Sequence, residues 1–462
     1  MVSLILKEKL YLNEVVLGTG FGIIIGPHAA NIFTPRSWGS SENAITLEVM
    51  RIVLVTGLFA VGVELPCAYM KEHARSLLVM VVPTMAFGWV VIASIIQALF
   101  PELNYVSSLC IAACLTPTDP VTCAAIIRGK YATKHVPVNI RRILTAESAA
   151  NDGLAYPFLA ISIYLTVEAS VRTAIGKWFL VGWLYQVILG TTFGAVMGYL
   201  FSKLMKICHD KGFIDRESYI AQYLALSIFI MGVANTIGAD DLLAAFAAGC
   251  AISWDGYFHA QTANDAFSSV IDYVLNCGCF IYIGAWLPFD DYHSPEYGIT
   301  PWKLVLLMIA ILFLRRIPFL LMVYKFVPEI ASWKEALFSG HFGELLTPMG
   351  VGAVFVSSLA LTRLPTPEHP PADQAQFLAA TIQPIVSFVV LGSIIVHGLS
   401  IPFFSIGRGI HCRTTSPMDA FHGIAGSAAD SDVERGLKTP GVISNGSAVD
   451  TLQTTERVGA RL

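Results

Sequence analysis

The chain has 462 residues, of which 55% are hydrophobic and 13% charged, with a mean hydropathy of +0.64. Soluble domains carry about 25% charged residues, so the composition excludes that class and makes hydrocarbon the solvent of most of the chain. The formal net charge of −4 says little by itself, because in a membrane protein the placement of charge counts for more than its sum; no nucleic-acid partner is expected.

The first residues, "MVSLILKEKLYLNEVV", form too short an apolar start, broken by Lys7 and Lys9, for a cleavable signal peptide. They are read as a cytoplasmic amino-terminal segment over 1–14. A spanning helix needs about 20 apolar residues. Twelve stretches qualify, near 15–33, 48–69, 77–100, 105–127, 143–166, 178–204, 218–238, 240–254, 266–288, 304–327, 337–362 and 378–404. The basic residues support that count. With the amino terminus inside, one set of loops holds Lys71, Arg75, Arg128, Lys130, Lys134, Arg141, Arg142, Lys203, Lys206, Lys211, Arg216, Lys325 and Lys334, and the other only Arg36, Arg172, Lys177, Lys303 and Arg363, as the positive-inside rule asks. The nine cysteines, among them Cys110, Cys114, Cys250, Cys277 and Cys279, show no recurring C-x-x-C pair and read as small buried hydrophobes. The membrane domain is placed over 15–405. Residues 406–462, rich in Gly, Ser and Thr, are read as a short disordered cytoplasmic tail.

Three polar interruptions stand out in the apolar runs. In the fourth span, "CLTPTDPVTCAA" sets Thr118 and Asp119 between Pro117 and Pro120. Proline removes a donor and clashes with the preceding turn, so the helix should break there and line a polar cavity with its free backbone groups. A plain proline kink is the other reading. In the fifth span, "AESAANDGLAYPF" places Glu147 four residues from Asn151 and Ser148 four from Asp152, two adjacent polar ridges of one helix face. A carboxylate at the bilayer centre costs about 2.5–3.5 kcal/mol on insertion scales and usually does chemistry; the alternative is a hydrogen-bonded knot between helices. In the second half, "GHFGELLTPMGVGAVF" (340–355) offers a matching glycine-rich break around Pro348, as an inverted repeat requires. One span earlier Arg315 and Arg316 lie in an apolar run, where at least one needs a buried acid. Glu147 is the natural partner, which leaves Asp152 to exchange a cation for a proton.

Together, "GPHAANIF", "VGVELPCAYM", "TPTDPV", "AESAANDGLAYPF", "DDLLAAFAAGCAISWDG", "RRIPF", "WKEALFSGHFG" and "SIIVHGLSI" resemble the fungal plasma-membrane sodium/proton antiporters of the monovalent cation/proton antiporter superfamily, over about residues 10–405. The resemblance implies an all-α polytopic fold of about 12 transmembrane helices, with inverted repeats and two broken crossing helices. It also implies a homodimer in which an elevator-like core moves against a dimerisation domain. By the same resemblance Asp152 binds cation and proton, Asn151 is its helix partner, Thr118 and Asp119 come from the unwound span, and Ser148 adds a hydroxyl. Na+ is expected at Asp152 and Asp119, and Glu147 with Arg315 or Arg316 forms a structural ion pair. Relative to the family pattern an apolar span is missing at the start, Glu344 to Thr347 ("ELLT") is inserted, and Pro117 replaces a small residue.

The expected function is secondary exchange of cytoplasmic Na+, with Li+ and K+ as further candidates, for external protons across the plasma membrane. Proton and cation would compete for one carboxylate. No enzymatic activity and no cofactor is expected: no Walker, H-E-x-x-H or G-x-S-x-G pattern is present. The alternatives are a potassium/proton exchanger and a non-transporting sensor or inactive paralogue. Four further residues stay open at this level. Asp240 and Asp241 fit either a solvated turn or a cation-attracting funnel, Asp265 (with Asp272) either an inner vestibule or a helix cap, and His397 either a core histidine or a pH sensor.

Overall fold

Each of the twelve apolar stretches contains a helix. The computed structural model describes residues 14–120, 123, 136–258, 267–345 and 349–414. Through them run α1 (Glu14–Ile25), α2 (Glu42–Glu64), α3 (Ala74–Leu99) and α4 (Tyr105–Leu115), then α5 (Val138–Gly153) and α6 (Ala155–Val167), which share one passage. The next passage joins α7 (Val171–Lys177), a π-helical stretch over Trp178–Leu189, and α8 (Gly190–Asp210). After α9 (Arg216–Ile237), α10 (Asp241–Ser253) and α11 (Phe267–Trp286) come two interrupted passages, α12 (Pro301–Leu314) with α13 (Ile317–Val323) and α14 (Trp333–Leu345) with α15 (Val351–Leu361), and finally α16 (Gln374–Thr414). Among the described residues, β structure amounts to one antiparallel bridge between Ser294 and Ile299. The protein is an all-α, multi-pass membrane protein.

Helix length alone would have hidden most of these passages. Among the described residues, five stretches are both long and apolar enough to cross by themselves: Gly39–Glu64, Ala74–Leu99, Val171–Asp210, Pro301–Phe326 and Gln374–Val396. Helices such as Tyr105–Leu115, Asp241–Ser253 and Val351–Leu361 are shorter. They are also the interior ones: Cys110 to Leu115 of α4 and Val351 to Ser358 of α15 are buried throughout. A helix that lies against other helices need not present a full apolar cylinder to lipid.

Small residues bring these interior helices together. Gly190, Gly194 and Gly198 recur every four residues along α8, on one face. A Cβ at Gly194 or Gly198 would collide with the carbonyl oxygen of Ala244 or Ala248 on α10. Gly62 of α2 and Gly249 of α10 meet backbone to backbone in the same way. Without a hydrophobic driving force between helices in lipid, such close backbone approach supplies the dispersion energy that holds the bundle. Helix α3 tolerates Pro83 for a local reason: the neighbouring Thr84 hydroxyl donates to the Val79 carbonyl at 3.0 Å, the acceptor four residues back that the proline leaves without an amide.

The chain divides at Phe404 into a unit over 1–403 and a second over 404–462. In the second, helical backbone is described to Thr414, so 406–414 are helical where the tail was expected to begin. The rest of the expected tail, 415–462, and residues 1–13 lie outside the described residues.

Candidate functional site

The first break is where the two prolines put it. Helix α4 stops at Leu115, Thr116 to Asp119 carry no regular helix bonding, and a helical turn restarts at Pro120, with the Cys123 N–H donating to the Asp119 carbonyl at 3.0 Å. The side-chain amide of Asn151, in the last turn of α5, closes on this segment from both sides. Its Oδ1 accepts the Thr118 N–H at 3.0 Å and its Nδ2 donates to Thr118 Oγ1 at 2.8 Å. Two polar groups that unwinding exposes are thereby satisfied by one side chain.

The second break lies between Leu345 and Val351; Glu344 and Leu345 close α14, while Leu346 to Pro348 lie outside the described residues. Beyond it the Met349 N–H donates to Ser393 Oγ at 2.9 Å, and the Val351 N–H, at the first residue of α15, donates to Asp119 Oδ2 at 2.7 Å. The two interruptions therefore meet. A carboxylate from one broken helix caps the positive N-terminal end of the other. At the opposite polarity, Arg315 Nη1 donates to the carbonyl of Leu115, the last residue of α4, at 2.8 Å, setting a cation on a helix C-terminus. Both exposed half-helix ends thus meet a charge of opposite sign.

Arg316, and not Arg315, takes the expected acid. Its Nη1 and Nη2 reach Glu147 Oε1 and Oε2 at 2.6 and 2.5 Å, a bidentate pair with Glu147 2% and Arg316 4% exposed. Fork-to-fork geometry satisfies both carboxylate oxygens, so Glu147 is committed. Ser148 Oγ donates to the Thr145 carbonyl at 3.1 Å, back along its own helix, which uses its proton and leaves the oxygen's lone pairs for the expected part as a hydroxyl ligand.

Asp152 differs from all of these. It is 2% exposed, yet neither carboxylate oxygen meets a hydrogen-bond partner among the described residues. It sits against α15 at Gly352, where a Cβ would collide with Oδ1; glycine is what lets the carboxylate reach the crossing. A buried charge with no partner is costly, and Asp152 also lines the one feature that accounts for it, a cavity of about 390 Å³. That cavity runs past Arg51, Asn235, Asp240 and Asp241 to Thr362 and Arg363.

The accessory residues resolve unequally. A solvated turn at Asp240 and Asp241 is ruled out, because the two are 6% and 5% exposed. Asp240 Oδ1 caps α10 by accepting the Leu243 N–H at 2.8 Å, and Asp241 pairs with Arg51. The turn folds inward because α8 meets it at Gly190, where a Cβ would lie 2.7 Å from the Asp240 carbonyl oxygen. Asp265 lies outside the described residues, and His397 and Asp272 fall within α16 and α11 with undescribed side chains. The sequence reading missed Arg51, although the signal was the one that exposed Arg315 and Arg316: a lone arginine inside an apolar run, "VMRIVLV".

The chain resembles known proteins along most of its length. It is 44% identical over 426 residues, 90% of the chain and 55% of the relative, to a protein of Schizosaccharomyces pombe described as a probable Na+/H+ antiporter. A second S. pombe protein, described as an Na+/H+ antiporter, is 40% identical over 86% of both chains. The chain spans about half the length of the first of these and of two further fungal relatives, from Zygosaccharomyces rouxii and Saccharomyces cerevisiae, that it matches at 41% and 40% identity. The structure of the sodium proton antiporter MjNhaP1 from Methanocaldococcus jannaschii superposes with a TM-score of 0.64 at 18% identity, covering 85% of this chain and 94% of that one, which is likeness of fold. The family model described as "Sodium/hydrogen exchanger, transmembrane" matches residues 1–407, and the chain, with its two interrupted helices meeting beside a carboxylate, belongs to that family.

Proposed function

We propose that the protein exchanges Na+, and with it Li+, for protons, with Asp152 as the carboxylate on which the two compete. One observation carries the reading: among the described residues at the crossing every other charged group has a partner, and the only carboxylate without one lines a cavity of about 390 Å³. A hard monovalent cation is held by carboxylate, hydroxyl and backbone oxygens, and the unwound segment at Thr118 and Asp119 brings such oxygens to the end of α5. Asp119 and Asp240 act on Asp152 electrostatically, which favours a positive ion there in either form, metal or proton.

The division of labour follows from the geometry. Glu147 with Arg316 fixes α5 against the start of α13, Asn151 holds the unwound strand, and Asp119 and Arg315 neutralise the half-helix ends. Exchange needs the Asp152 site to open to each side in turn, by movement of a core within a homodimer in the plasma membrane, as the sequence resemblance implies.

Replacing Asp152 with Asn tests the assignment, since it removes the titrating charge and keeps the shape. In reconstituted vesicles the expected outcome is a folded protein with no sodium-driven proton movement. Wild-type flux in that variant overturns the reading.

A further inference from the structure

A cation path should not need a fixed positive charge, yet α2 places Arg51 in the wall of the cavity that ends at Asp152, 8% exposed. Its guanidinium is held from several sides. Nη1 donates to the Asp241 carboxylate at the start of α10 and reaches Asn235 Oδ1 of α9 at 3.4 Å, and Nε lies 3.2 Å from Glu48 Oε2 on its own helix. The Phe355 ring of α15 lies 5.4 Å from its central carbon. Arginine does not lose its proton in a protein. One of the two neighbouring aspartates is therefore cancelled at every working pH, whereas Asp240, which gives Oδ1 to the α10 N-terminus, faces the same cavity without a cation of its own in hydrogen-bond contact among the described residues.

We infer that Arg51 sets the charge of the cation path: by cancelling Asp241 it leaves Asp240 and Asp152 as the carboxylates a cation meets, and so fixes cation affinity without touching the cation. It is a positioning residue, and the inference rests on the antiport reading for the identity of the ion. The sign is fixed by charge counting. With Glu48 unchanged at Arg51 Nε, removing the Asp241 charge alone makes the wall one unit more positive, which disfavours Na+; removing both charges restores the original sum. If Asp241 were instead a ligand, removing both would not restore affinity.

The test is the Na+-dependent rise in thermal midpoint of the full chain in detergent, at fixed alkaline pH and with ionic strength held by N-methylglucamine. Asp241→Asn should weaken the apparent Na+ constant about three- to tenfold, the scale of one uncancelled charge at roughly 10 Å in a partly hydrated site. The Arg51→Gln, Asp241→Asn double variant should return to within about twofold of wild type on the same charge count. A double variant as weak as Asp241→Asn overturns the inference in favour of a ligand role, and a folded Asp241→Asn with the wild-type constant overturns it in favour of a purely structural pair. Should Asp241→Asn not fold, Arg51→Gln takes its place: the uncancelled Asp241 carboxylate should tighten the constant by a similar factor, and an unchanged constant refutes the idea. Sodium-driven proton flux on the same wild-type preparation keeps the two readings apart, since absent flux with Na+ binding intact sinks exchange and leaves the Arg51 result decided.

Discussion

Glu147→Gln separates a structural acid from a transporting one. In the wild type the carboxylate takes two hydrogen bonds from Arg316, at 2.6 and 2.5 Å, with both side chains out of solvent. Glutamine keeps the shape but loses the charge and offers one oxygen for two donors, so the guanidinium is left in a low-dielectric interior facing an amide nitrogen. Breaking a buried pair on one side costs about 3–5 kcal/mol, most of it the desolvation of the charge left behind. With an unfolding entropy of about 2.1 cal/mol/K per residue over roughly 400 residues, a loss of about 4 kcal/mol lowers the unfolding midpoint by about 5 °C. The assay is thermal unfolding of purified protein in detergent, run beside a Na+ titration of the same sample. Adding Arg316→Met should recover much of the midpoint, because replacing both partners removes the stranded charge. Arg315, whose guanidinium holds the Leu115 carbonyl, should not rescue when changed in its place. A Glu147→Gln protein with an unshifted midpoint and a weakened Na+ constant would make Glu147 a ligand and refute the division of roles.

Competition for Asp152 predicts that the apparent Na+ constant for exchange weakens about tenfold per unit as pH falls below the carboxylate's pKa and levels off above it, because only the deprotonated form takes the metal; a constant flat across that range in vesicle flux assays speaks for a channel or uniporter. Asn151→Ala removes both hydrogen bonds to Thr118 and should cost about 2–3 kcal/mol of stability, with a loss of exchange rate larger than the loss of Na+ affinity; unaltered flux would show that the unwound segment holds itself. Gly194→Val drives methyl groups into the Ala244 backbone and should lower the midpoint by the equivalent of about 1–3 kcal/mol, whereas the same change at Gly20, where a Cβ would meet no atom within 4 Å, should leave it nearly unmoved.

The twelve spans and the break in α4 were legible in the sequence, because hydrocarbon thickness and proline chemistry act locally: a run of apolar residues and a missing amide have the same consequence wherever the chain goes. The same local cost of a buried charge singled out Glu147, Asp152 and the arginine pair. Which arginine meets Glu147 was not legible. Arg315 and Arg316 are adjacent in sequence, and only the end of α12 decides that one turns to the Leu115 carbonyl and the other to the acid. The burial of Asp240 and Asp241 was hidden too: a turn between two spans looks solvated until Gly190 lets α8 close over it and Arg51, some 190 residues away, supplies the counter-charge. Ser148 and Asp119 make the same point, one bonding its own helix and the other capping a helix more than 230 residues later. Sequence determines the cost of burying each charged group; only the tertiary structure decides which partner offsets it, because partners for buried charges come from whichever helices pack side by side. Asp152, the one carboxylate at the crossing for which that packing provides none among the described residues, could be recognised as different only once all the others had been paired.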